Sequence, residues 1–402
     1  TTEIYTLSLH DALPICDPDY YPYQTLYGLG YKNGSEAGAY FTVIANPSLK
    51  WETQISTDIA LEFGLFDCLT GTIEYFKKDS KDLLFDVSQP ASVGVTSIIQ
   101  NIGKVTNSGV EIELDYNAFK NKDWSVSVGA NATFVKNKIK NLPATMKENG
   151  YISGSKKWLE GKSIYEFWLR QWHGVDPQTG DGLYVADVSK YNQGNIGTGD
   201  GNITQSQFDE YKKTVVTIDG KELTNSYTYA KYDFSGSSIP DVYGGFNVRV
   251  SYKNFDLAAV FSYQLGGQVL DTNYATMMSM TEFGYAQSPD LLKAWKQAGD
   301  ITEVPRIDNS AAHTTNIGQS YSTRWLTSSD YLNLRSVTIG YQLPKTWLSK
   351  VMLKSARLNL TAENLFMLKA RQGLNPMANY SGVTYNEYMP SRNITLGLNV
   401  SF

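Results

Sequence analysis

Three histidines and two cysteines are all that this 402-residue chain offers for imidazole or thiolate chemistry. A structural zinc site draws about four Cys or His ligands from short spacings, and His10, His173, His313, Cys16 and Cys68 are too scattered to supply them. The same count excludes a disulfide framework. His173 and His313 could act as general bases, but neither has a nucleophile at a motif spacing. The chain holds no G-x-S-x-G elbow, no H-E-x-x-H pair and no phosphate-binding P-loop. Catalysis gains no support, and both imidazoles read as surface or lumenal groups. Carboxylates gather around two GDG triplets, at 180–182 and 199–201, where Asp176, Asp181, Asp200 and Asn202 hint at calcium. A calcium loop starting at Asp200 needs Gly at its sixth position and Glu at its twelfth, and Gln205 and Tyr211 stand there instead. A glycine-rich turn fits better, and neither a metal nor a cofactor is expected.

One segment has the residue types for ligand contact. In residues 163–172 the even positions read Glu166, Trp168, Arg170 and Trp172, and the odd ones Tyr165, Phe167 and Leu169. Flat rings beside fork-like hydrogen-bonders suit sugars, whose CH faces stack while their hydroxyls pair. The competing use of such side chains is packing against neighbouring protein. Which use applies depends on the elements that carry them.

Composition narrows those elements. With 42% hydrophobic and 13% aromatic residues, 28 of them Tyr, the chain has ample surface to bury and is not disordered. Mean hydropathy is -0.32, and no run of about 18 apolar residues exists to cross a membrane as a helix. Any membrane role must use strands. A net charge of -5 gives no basic face for nucleic acid. Residues 1–5 lack the basic and apolar regions of a secretory signal, and residues 6–15, TLSLHDALPI, resemble a translated sequencing adapter. Residues 1–16 are therefore set aside as an artefact, and the remainder is expected to be the C-terminal part of a longer protein. Residues 17–48 read as an extracellular loop or truncated strand region, and 49–402 as barrel.

From Trp51 to Leu65 apolar and polar positions alternate almost without error. The rhythm returns at Val110, Ile112, Leu114 and Tyr116 against Glu111, Glu113 and Asp115, and again after Trp124 and Val242. Phe255 and Ile394 each open another such run. About eleven segments carry it, several exceeding the nine to eleven residues that a tilted membrane strand needs. Connections alternate between short turns and long polar stretches at 80–104, 137–160, 189–238, 267–326 and 367–390, provided 163–173 and 182–188 form one strand pair. The fold class expected is all-β: part of an antiparallel transmembrane β-barrel with short periplasmic turns and long extracellular loops. An open sheet cannot stand in hydrocarbon, and an odd count does not close the usual bacterial barrel, so further strands are expected upstream. On this reading Tyr165, Phe167 and Leu169 face lipid, while Glu166, Trp168, Arg170 and Trp172 face the lumen, as do Arg249 and the acidic row.

Recurring words carry a resemblance. NPSLKWE at 46–52, KDLL at 81–84, NIGKVTNSGVEIEL at 101–114, GVDPQTGDGLY at 174–184 and SYKNFDL at 251–257 resemble the C-terminal barrel of SusC/RagA-type TonB-linked outer-membrane transporters. So do YLNLRSVTIGYQLPK at 331–345, AENLF at 362–366 and SRNITLGLNVSF at 391–402. The resemblance implies a barrel of about 22 strands in the outer membrane. It also implies an N-terminal plug, contact with the TonB complex through an N-terminal region not seen here, and a SusD-like lipoprotein lid. The cargo implied is an oligosaccharide or a peptide. Phe402, a final aromatic after alternating apolar residues, resembles a barrel-assembly signal. Ser288 and Pro289 offer a cap and first-turn proline for a short loop helix bearing Leu291, Leu292 and Trp295. The competing class is a soluble or surface-attached glycan-binding β-protein, whose alternation would serve an internal core; an outer-membrane barrel enzyme is a third.

Overall fold

The computed structural model describes residues 9–10, 23–199, 201–280, 284, 286–348, 353–377, 379–385 and 387–402. Cys16 and Asp200 lie outside them. Nine long antiparallel strands form one meander: β1 Thr53–Leu65, β2 Leu69–Lys81, β3 Lys104–Lys120, β4 Trp124–Asn141, β5 Val242–Tyr252, β6 Phe255–Leu265, β7 Tyr331–Gln342, β8 Ser355–Lys369 and β9 Asn393–Ser401. Each pairs with the next in sequence. Leu9–His10 add two residues to the outer edge of β1 at Ile55 and Gln54. Among the described residues no strand lies outside β9.

The strands form because each presents one apolar and one polar face, and register aligns those faces across the sheet. Phe119, Val126, Val250, Leu257, Ile339, Leu360 and Leu396 are successive partners across seven strands. Leu61, Ile73, Ile112 and Ala132 make a second row. This band is bare: Leu257 is 40% exposed, Ile339 48% and Leu396 68%. An apolar surface running the width of a sheet does not face water in a monomer; hydrocarbon suits it. At the short-turn end Trp124, Tyr252, Phe255 and Tyr341 are register partners, with ring centroids 4.3 Å apart in the first pair and 4.4 Å in the last. They form the aromatic girdle expected at a membrane interface. The opposite face is polar. Glu111 lies between Glu74 and Thr133, Arg249 between Ser127 and Ala258, and Arg357 Nη2 meets Asp256 Oδ2 at 2.6 Å.

Short turns at 66–68, 121–123, 253–254 and 343–354 lie at one end of the wall, and loops at 82–103, 142–241, 266–330 and 370–392 at the other. Of the eleven expected segments nine are wall strands. The pair 163–173 and 182–188 is not. Glu166–Arg170 joins a four-stranded sheet with Tyr151–Ser153, Lys156–Trp158 and Tyr232–Ser237. Trp172–Val175 and Gly182–Val185 join another with Val215–Ile218 and Lys221–Thr224. The physical reason is length, since strands of four or five residues cannot span the hydrocarbon.

The main hydrophobic core belongs to these loops and not to the wall. Phe167 and Leu169 from 142–241, Leu270, Met278, Leu291, Ile317 and Trp325 from 266–330, and Val383 from 370–392 form one buried cluster. Polar latches join the same loops: Ser238 Oγ donates to Tyr380 O (2.8 Å), Leu270 N to Gly382 O (2.7 Å), and Arg371 Nη2 pairs with Asp271 Oδ2 at 2.9 Å. Ser288 caps a 3₁₀ turn at Pro289–Lys293, shorter than the helix expected, because Leu291 is buried whereas Leu292 is 79% exposed and holds nothing. A soluble sandwich would bury the wall's apolar face beneath a second sheet, and among the described residues none covers it.

Candidate functional site

The sheet carrying Glu166–Arg170 starts at the wall. Ser163 Oγ and Ile164 N both donate to Asn137 Oδ1 near the top of β4, and Gly161 N donates to Ile139 O. From that anchor the strand sends Phe167 and Leu169 into the loop core, where both are fully buried. The expectation that they face lipid is therefore corrected. Alternation persisted because both faces of this strand meet protein or half-covered surface, and period two does not report which medium each side touches.

The other face holds three of the four expected contacts. Trp168 lies near-parallel to Tyr232 (13°, centroids 6.2 Å) and edge-on to Phe234 at 4.9 Å, with Lys157 Nζ 4.0 Å from its ring. Arg170 sits between the rings of Tyr232 (4.7 Å) and Tyr227 (4.9 Å), and its Nε donates to Tyr227 O at 3.0 Å. Glu166 begins the strand on this face. All are half-buried. The result is a ladder of rings and cations, with edges open to a ligand that offers CH surface and hydroxyl or carbonyl groups.

Trp172 does not join them. After Gln171 the chain passes into the next sheet, and Trp172 packs edge-on to Tyr184 at 5.1 Å. Arg324 lies between the Trp172 and Trp325 rings at 4.7 and 4.3 Å, and its Nη1 donates to Ile317 O. Burial lowers the Arg324 guanidinium to about 10 and pushes the Tyr184 phenol up to about 12. Trp172 thus serves as one wall of a buried cation site.

Lys156, on the neighbouring strand, is also buried. Its Nζ donates to Tyr165 O at 2.8 Å and stands 3.1 Å from the Phe167 ring centre. Burial lowers its pKa to about 7, with Glu166 opposing. The unfolded chain binds this proton up to about pH 10.5, so between about pH 7 and 10.5 unfolding takes up a proton and stability rises with pH. The thermal transition of the loop region, followed by tryptophan fluorescence, is expected to rise across that window; Lys156→Met is expected to flatten it.

Sequence reading missed an open cleft of about 600 Å³ beside Tyr227, lined by Asp181, Asn225, Arg306 and His313. The first GDG triplet builds one side. Asp176 accepts from Gln178 N and Thr179 Oγ1, Gly180 takes φ +73°, and a Cβ there would lie 2.5 Å from Trp295. Asp176 is thus the organiser of a turn. Arg306 Nη1 pairs with Asp181 Oδ1 at 2.7 Å, and His313 Nδ1 stands 3.7 Å from the same oxygen. His313 and Arg306 hold Asp181 below the usual carboxylate range; the shorter distance assigns most of the effect to the guanidinium. His313 Nε2 also meets Arg306 O at 2.8 Å, so this imidazole is a brace. His173 lies in the strand Trp172–Val175 and is exposed. Asn202 Nδ2 would lie 2.5 Å from a Cβ on Gly197, and the residues after it start a helix, Gln205–Thr214, closed by the Thr204/Gln207 capping box. Glu111, Glu113, Asp115 and Arg249 lie on the polar wall face as expected, and Phe402, beyond β9, is exposed.

Residues 18–266 match the family model described as TonB dependent receptor-like, beta-barrel. TonB-dependent receptor P3 of Formosa agariphila is 29% identical over 384 residues, covering 91% of this chain and 36% of that protein. TonB-dependent receptor SusC of Bacteroides thetaiotaomicron is 24% identical over 372 residues, covering 89% and 32%. The chain thus spans about a third of the length of these curated relatives. The RagAB peptide importer in its closed-closed state superposes with a TM-score of 0.73 at 25% identity, over 95% of this chain and 39% of the other.

Proposed function

Because the chain belongs to the TonB-dependent receptor-like β-barrel family, we propose that it forms wall and extracellular cap of an outer-membrane importer that carries oligosaccharides or peptides, energised by TonB and lidded by a SusD-like lipoprotein. The observation that carries this reading is the wall itself. One face is a bare apolar band with an aromatic girdle, the other is polar, and every long loop gathers at one end. The peptide arm follows RagAB, described as a peptide importer; the glycan arm follows the ring-and-cation ladder. In this reading Glu166, Trp168 and Arg170 touch cargo, and Trp172 supports them from behind.

The test is uptake. The full-length receptor, expressed in an outer membrane, should accumulate labelled oligosaccharides or peptides only when TonB and the proton gradient are intact. Uptake that survives loss of both, or recovery of the protein from the aqueous fraction without detergent, overturns the reading. Trp168→Ala is expected to weaken cargo binding by roughly two- to tenfold, the worth of one aromatic contact, measured by calorimetry on the purified receptor. Phe402 belongs to the same reading as an assembly signal; deleting it should lower barrel insertion, and unchanged insertion removes that role.

A further inference from the structure

A second site lies in the wall, where regular pairing breaks twice at one level. Opposite Val260 and Phe261 of β6, strand β7 carries the extra residue Arg335, and opposite Leu334 and Ser336 of β7, strand β8 carries an extra residue at Asn364–Leu365. Asn364 takes φ +51° to allow it. A bulge of this kind turns successive side chains to one side of the sheet. Leu334 and Val337 stay on the apolar face, so Arg335 and Ser336 are both delivered to the polar one.

They open on a cavity of about 660 Å³, lined also by Asn333, Glu363 and Asn364 and bordered by Met377 and Pro390 of the loop above. Arg335 is exposed and makes no hydrogen bond or ion pair among the described residues. Arg249 and Arg392 are also exposed and unpaired among the described residues, but neither lines this cavity; Arg306, Arg357 and Arg371 are engaged by carboxylates, and Arg170 and Arg324 by rings and carbonyls. Glu363, across the ladder from Ser336, has one contact of 3.2 Å from Asn393 Nδ2 and no cation. Two opposite charges therefore face one cavity from adjacent strands without neutralising each other.

We propose that this cavity is a cargo subsite that takes a carboxylate on Arg335, with Glu363 and the Asn333 and Asn364 amides receiving the donors beside it. The planar guanidinium suits a carboxylate because both of its oxygens can be met at once. The proposal rests on the import reading and narrows it to acidic cargo. A peptide C-terminus and a uronic acid both offer this group.

Binding to the full-length receptor in detergent distinguishes the sources. Trialanine is compared with its C-terminal amide, and trigalacturonate with its methyl ester. The receptor should prefer the acid in at least one pair by roughly tenfold or more, the scale of a charge-assisted contact. Preference within the peptide pair alone assigns a peptide terminus, and within the sugar pair alone a uronate. Arg335→Gln should abolish the preference, and Arg335→Lys, which keeps the charge, should restore part of it. A wild-type receptor without acid preference, or a preference that survives in Arg335→Gln and Arg335→Lys alike, overturns the site. Energy-coupled uptake without acid preference sinks this subsite and spares the import reading; acid binding without uptake does the reverse.

Discussion

Leu360→Arg should lower insertion of the barrel, while Thr395→Arg, on the opposite face of the adjoining strand, should leave it intact. Leu360 is 43% exposed on the apolar band, one row inside the aromatic girdle, paired with Ile339 on one side and Leu396 on the other. An arginine on the lipid face of such a wall costs about 2–4 kcal/mol at the midplane and less toward the interface, set against about 5–15 kcal/mol of stability for an ordinary domain. Thr395 pairs with Thr361 on the polar face, where a guanidinium keeps its water. Heat-modifiable migration on gels reads insertion directly. Equal insertion of both variants would mean that the apolar face is not the lipid face.

Phe167→Ala should release three loops together and leave the wall standing. Phe167 is 0% exposed at the centre of the shared loop core. Truncating a buried phenylalanine costs about 3–5 kcal/mol. Because 142–241, 266–330 and 370–392 contribute to that one cluster, limited proteolysis should nick all three at similar rates. Heat modifiability should be unchanged. Nicking confined to 142–241 would show that the loops hold separately.

How much of this was legible in the chain depended on whether a pattern names its surroundings. Trp51 to Leu65 alternates over a span too long for an ordinary sandwich strand, so length and period together located the wall. Glu166–Arg170 alternates just as cleanly, but over five residues, and alternation alone could not say that Phe167 and Leu169 join Trp325 and Met278 in one buried cluster instead of facing lipid. That cluster joins residues more than a hundred positions apart, and nothing local encodes it. The wall bulge left a trace: apolar positions fall on Leu332 and Leu334, then shift phase to Val337, Ile339 and Tyr341. Such a slip marks an inserted residue. The cleft at Asp181, Arg306 and His313 left none, since its three polar side chains come from two loops.

The common interior of the cap bears on how such a receptor could be given a new diet. Transplanting a single segment from a relative would strand half of an interlocked interior against a mismatched half, much as swapping one piece between two jigsaws does. On the proposed import reading, the unit to exchange is the trio 142–241, 266–330 and 370–392, taken as a set.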